Sequence, residues 1–143
     1  MMRVSEMMSV NLVTCSPSDT VADACRRMCH ANVGSVLACQ GGELEGILTE
    51  RDVLRLVADG KQPENEVVAD HMSRTIVGVA PDAPASEVAQ LMNERRVRHL
   101  PVLDGGTPVG IVSLRDFFVM SGAILRAQGA DAAGELLRAA TPR

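Results

Sequence analysis

Tryptophan and tyrosine are missing from this chain of 143 residues, and Phe117 and Phe118 are its only phenyl side chains. The stacking platforms on which binders of single strands or sugars rely are therefore lacking. A core has to come from Val, Leu, Ile, Ala and Met instead, and hydrophobic residues, at 46%, are plentiful enough to build one. An excess of positive charge is missing too. The net charge is −4, so the basic face that a nucleic-acid partner needs is not expected. No apolar run approaches the roughly 20 residues that span a bilayer. Met1 to Val13 has neither the continuous apolar stretch nor the small-residue site of a signal peptide. The expectation is a cytoplasmic protein with no membrane partner. Its four cysteines, Cys15, Cys25, Cys29 and Cys39, should then be reduced thiols.

What the chain does contain is a copy of itself. When Val4 is set against Val68, residues 4–54 match 68–118 without a gap. Met8-Ser9 meets Met72-Ser73, Val13 meets Val77, Pro17 meets Pro81 and Met28 meets Met92. Gly41-Gly42 meets Gly105-Gly106. The stretch Gly46-Ile47-Leu48-Thr49-Glu50-Arg51-Asp52 returns as Gly110-Ile111-Val112-Ser113-Leu114-Arg115-Asp116. The division expected from this is a first unit at 1–62, a second at 63–122, and a C-terminal helix or mobile tail at 123–143. The polar stretch Asp59 to Glu66 reads as the linker.

Each copy reads as strand, helix, strand, strand, helix, giving an α+β chain with a small mixed sheet and helices on one face. The first strands are expected at Asn11–Cys15 and Thr75–Val79. Ser18 and Asp82 are candidate N-caps for the helices that follow. One helix carries Val21, Ala24, Cys25 and Met28 at helical spacing, and its twin carries Ala85, Val88, Ala89 and Met92. These are single buried stripes. The next strands are expected at Ser35–Cys39 and Leu100–Leu103. Pro101 suggests that regular pairing begins only after it. The paired glycines mark hairpin turns. The last strands end at Thr49 and Ser113, where the second helices begin.

Thr49-x-x-Asp52 and Ser113-x-x-Asp116 permit two readings. Hydroxyl, two residues and an acid make a capping box. A helix start also attracts phosphate, and an ionised carboxylate can accept protons from two neighbouring hydroxyls. Arg51 and Arg115 precede the acids, a poor place for a cation unless a phosphate or acid offsets it. Arg98-His99 has Gly34-Ser35 as its counterpart, which points to unequal sites, the basic pair serving the one around Asp116. Cys25, Cys29, Cys39 and His30 could be read as zinc ligands. The second copy has Ala89, Asn93, Leu103 and Glu94 there, so small core residues are the better account and no metal site is expected.

This gapless double unit resembles the tandem CBS-domain (cystathionine β-synthase domain) pair, or Bateman module, of the stand-alone bacterial type. The likeness runs over about residues 3–120. The closing motif carries it, with the segment Val97-Arg98-His99-Leu100-Pro101-Val102-Leu103-Asp104. The resemblance implies two β-α-β-β-α motifs packed as a pseudo-two-fold pair. It implies a ligand in the cleft between them: an adenine nucleotide (AMP, ADP, ATP) or S-adenosylmethionine. Carried across, Asp52 and Asp116 would hold ribose hydroxyls, and Thr49 and Ser113 would meet phosphate. Val13-Thr14-Cys15 and Val77-Gly78-Val79 would flank the base. Arg98, His99 and Arg115 would stand near phosphate. It also implies a homodimer.

No nucleophile–base pair or paired acid–base carboxylates stand out, so a regulatory module rather than an enzyme is expected, with no required cofactor. Its regulated protein would act in trans. One alternative is a ligand-free dimerising adaptor, and another is a redox or metal sensor built on the cysteines.

Overall fold

The computed structural model describes residues 1–128, 134, 138 and 139. The chain is α+β and divides into two compact units. One is Asn11–Ile76. The other joins Met1–Val10 to the described residues from Val77 onward.

In the Asn11–Ile76 unit, β1 (Thr14–Cys15) leads to α1 (Val21–Ala31), β2 (Ser35–Gln40), β3 (Glu43–Thr49) and α2 (Glu50–Ala58). β1 lies parallel to β2, and β2 antiparallel to β3, so the mixed sheet is present. The β2–β3 turn needs two residues of positive φ, which Gly41 (60°) and Gly42 (81°) supply. Helix α1 is capped by Thr20, whose hydroxyl accepts from the Asp23 amide at 3.1 Å, not by Ser18. The Ser18 hydroxyl, two residues before the cap, instead pairs with that of Ser16. Asn32 closes α1 in the left-handed region at φ 55°. Val21, Ala24 and Met28 of α1 join Val36, Ala38, Leu48 and Leu56 in the core. Cys25, expected on that buried stripe, is partly exposed.

The other unit holds α3 (Ala85–Arg95), β4 (His99–Asp104), β5 (Thr107–Ser113) and α4 (Leu114–Gln128). The stripe Ala85, Val88, Ala89 and Met92 is buried against Leu100, Val102, Val112 and Phe117. Pro84, not Asp82, occupies the cap of α3. Residues 123–128 belong to α4, and most of the proposed tail lies outside the described residues.

Pro101 does not delay the pairing of β4. His99 already stands opposite Ser113, and Pro101 pairs with Ile111. The reason is the direction its missing N–H would face. At the matching Leu37 the amide donates to the Val13 carbonyl at 2.9 Å, away from the hairpin. Proline forfeits only that bond. The hairpin is intact, and the parallel neighbour is reduced from the strand β1 to a single bridge, Val79 to Val102.

The lead-in segments fall differently from the 1–62 and 63–122 division of the repeat. Val4 donates to the Ala83 carbonyl and Ser5 to that of Pro81, each at 2.9 Å. Ser9 and Ile111 exchange amide bonds of 2.8 and 2.9 Å. In the other unit Val68 bonds to Asp19, Ala69 to Pro17, and Ser73 exchanges bonds with Ile47. The motif glycines permit this approach. A Cβ on Gly46 would lie 2.5 Å from the Met72 sulfur and 2.9 Å from the Ser73 carbonyl. On Gly110 it would lie 2.5 Å from the Met8 sulfur and 3.0 Å from the Ser9 carbonyl.

Candidate functional site

Both hydroxyl–acid pairs sit at strand-to-helix junctions and form capping boxes. The Thr49 amide donates to Asp52 Oδ2 at 2.9 Å, its hydroxyl donates to the same oxygen at 3.0 Å, and the Asp52 amide returns a bond of 3.3 Å. Asp52 Oδ1 lies 3.8 Å from Arg55. At the other junction the Ser113 amide donates to Asp116 Oδ2 at 2.6 Å and the Asp116 amide to the Ser113 hydroxyl at 3.4 Å. Val119 stands where Arg55 would recur. Asp116 Oδ1 accepts no hydrogen bond among the described residues. The two acids therefore differ: one has a cation beside its second oxygen, and the other leaves that oxygen open.

Arg98 and His99 are brought to the Asp116 junction. The Leu114 amide, first of α4, donates to the Arg98 carbonyl at 2.9 Å, and His99 faces Ser113 across the hairpin. The Arg98 side chain is exposed and makes no ion pair with Glu94 or Asp104. At the matching place in the other unit, Glu50 donates to the Gly34 carbonyl at 3.0 Å and no cation is supplied. Arg51 and Arg115 are exposed on the first turns of their helices.

The segments Val13–Cys15 and Val77–Val79 lie on sheet edges. The Leu37 amide bonds to Val13, and Cys15 pairs with Ala38, so the N–H and C=O of Thr14 face away from β2. Val79 donates to Pro101 at 3.1 Å and accepts from Leu103 at 2.8 Å, which turns the peptide groups of Gly78 outward likewise. Thr14 and Gly78 are both exposed, whereas Cys15 is buried. Burial first, and then the carboxylate of Asp19, push the Cys15 thiol up to about 11.

Sequence reasoning overlooked Arg27. Its Nη1 donates to the Thr14 carbonyl at 2.6 Å, and its Nη2 lies 3.7 Å from Asp19. The available signal was an asymmetry in the repeat: Leu91 and Ala83 replace Arg27 and Asp19 in the second copy.

A largely apolar cavity of about 330 Å³ opens on the α1–α2 face and is lined by Cys25, Met28, Cys29, Asn32, Val33, Glu50 and Val53. None of the residues expected to meet a ligand lines it. Among the described residues no group of three or more His, Cys, Asp or Glu could hold a metal ion. Cys29 is exposed, so its thiol is not among the core residues as expected. No helix among the described residues is long and apolar enough to cross a membrane.

The family model for the CBS domain matches residues 4–59 and 68–120. The CBS domain-containing protein YhcV of Bacillus subtilis is 35% identical over 120 residues, which is 83% of this chain and 85% of YhcV. Other curated relatives are longer, and the chain spans 59%, 52% and 20% of three of them. A CBS-domain protein structure from Burkholderia ambifaria superposes with a TM-score of 0.81 at 30% identity, covering 91% of this chain and 99% of that one. The fold also matches the CBS domain protein PAE2072 from Pyrobaculum aerophilum, solved with AMP. The TM-score is 0.78 at 22% identity, covering 90% of this chain and 100% of that one.

Proposed function

This chain belongs to the CBS domain family, and we propose that it is a regulatory binding module for an adenine nucleotide or adenosine derivative such as S-adenosylmethionine. Ligand binding favours one arrangement of the chain over another and so alters how it meets a regulated partner protein. The size of that effect is capped by the difference in affinity for the two arrangements. One observation carries the reading. At the start of α4, a carboxylate with one open oxygen, a helix N-terminus and the exposed Arg98 occupy one junction. These are an acceptor for ribose hydroxyls and two elements that attract phosphate. Asp116, Ser113, Arg98, His99 and Arg115 serve this site, and Val77–Val79 meet the base. Asp52, Thr49 and Val13–Cys15 form the poorer counterpart, where Arg55 already draws on the carboxylate.

We also propose a homodimer. Leu54 and Phe118 hold matching positions in the repeat, on α2 and α4, and both are large, apolar and exposed, at 67% and 60%. A second copy would cover them. Two intact capping boxes also suit the alternative of a ligand-free dimerising adaptor, in which Asp52 and Asp116 do nothing but cap.

Thermal unfolding with AMP, ADP, ATP and S-adenosylmethionine separates these readings. A ligand at a hundred times its Kd adds about 2.7 kcal/mol if it binds only the native state. Asp116→Ala should abolish most of that ligand-induced gain and Asp52→Ala less of it, after subtraction of each variant's own capping loss. If no ligand shifts the wild type, or if both variants keep the full shift, the binding role assigned to these acids is wrong.

A further inference from the structure

Resting on the reading above, in which the two edge segments meet the base, we infer that Arg27 makes the segments unequal. It turns the Thr14 edge against adenine and leaves the Gly78 edge to receive it. An outward-facing residue on a strand edge offers its N–H and C=O side by side. Adenine presents the complement, the N1 acceptor beside the N6 amino donor. Gly78 offers such a pair: it is exposed, and no donor among the described residues reaches its carbonyl. A Cβ there would lie 2.5 Å from Leu103 Cδ1, so any side chain would have to displace that methyl group.

At Thr14 the same pair is altered. The carbonyl already accepts a charge-assisted bond from Arg27 Nη1 at 2.6 Å. Asp19, itself held by the Ser16 amide at 2.9 Å, lies 3.7 Å from the same guanidinium. A guanidinium has donors only. It therefore opposes its donors to the adenine amino group. The second copy has Leu91 and Ala83 in these places and imposes no such bias. Because the Arg27 side chain is half exposed, water competes for it, and the expected discrimination is about tenfold.

Calorimetric titration with AMP tests this on the whole chain. The wild type should take up one equivalent of AMP before a second, about tenfold weaker one. Arg27→Leu should strengthen the weaker AMP event several-fold, leaving the remaining deficit to Arg55 and to the missing counterpart of Arg98. Leu91→Arg should weaken the stronger AMP event. Two equal AMP events in the wild type overturn the inference, and so does an unchanged weaker AMP event in a folded Arg27→Leu chain. Should Arg27→Leu not fold, unaltered AMP affinity in Leu91→Arg overturns it alone. Failure of every adenine nucleotide to bind the wild type removes the underlying function as well.

Discussion

Val4→Ala probes the assignment of the N-terminal lead-in to the unit that carries α3 and α4. Val4 has no exposed surface and lies among Val88, Ala89, Leu100, Val112 and Phe117. The substitution removes two methyl-sized groups, worth about 0.8 kcal/mol each in transfer. With a term for the cavity left behind, the loss comes to about 2–3 kcal/mol. Amide hydrogen exchange, resolved by peptide, reads where that loss falls. Peptides from α3, β4 and β5 should exchange roughly 30- to 150-fold faster in their slowest amides, the kinetic equivalent of that loss. Peptides from α1, β2 and β3 should hold close to wild-type protection. The reciprocal change, Val68→Ala, removes a fully buried side chain that packs with Val21, Met28 and Leu48. It should show the opposite pattern. If Val4→Ala loosened α1 and β2 instead, the lead-in would belong with the copy that follows it directly, and the grouping of the chain would be refuted.

Further outcomes are expected. Gly110→Ala should cost about 1–3 kcal/mol by overpacking against Met8 and the Ser9 carbonyl, seen as a lower urea midpoint at unchanged m-value; a neutral midpoint would show that the lead-in yields freely. Thiol alkylation at pH 8 should modify the exposed Cys29 first and Cys15 last. With its pKa pushed up to about 11 by burial and Asp19, Cys15 is ionised in only about one chain in a thousand at that pH. Raising the pH towards 11 should speed its reaction, and equal rates for Cys15 and Cys29 at pH 8 would contradict the burial. Leu54→Glu together with Phe118→Glu should give a monomer by analytical ultracentrifugation where the wild type sediments as a dimer; a wild type that is monomeric at tens of micromolar ends the dimer proposal.

Much of the fold is legible in local pattern. The glycine pairs at Gly41-Gly42 and Gly105-Gly106 demand a turn that only a hairpin uses. The stripe from Ala85 to Met92 can be buried on one side only of a helix. The hydroxyl–acid spacing places the cap of α2 at Thr49. Signals with two local solutions were misjudged. Ser18 and Thr20 are both good caps, and the choice between them follows from where α1 packs, not from propensity. Pro101 marks a missing donor, but the sequence does not say which neighbour loses it.

The repeat by itself determined that there are two alike units of helix, hairpin and helix, each with a last helix that starts at a carboxylate three residues beyond a hydroxyl. Periodicity and turn chemistry act over a few residues, so they are written into each copy. Tertiary structure alone decided which lead-in completes which core. Val4-to-Ser9 and Val68-to-Ser73 carry the same valine and Met-Ser, so local pattern does not tell them apart. Chain connectivity and packing select between two pairings that local chemistry leaves equal. The same holds for Arg27, whose partner carbonyl lies thirteen residues away and comes within reach only once α1 has packed on the sheet.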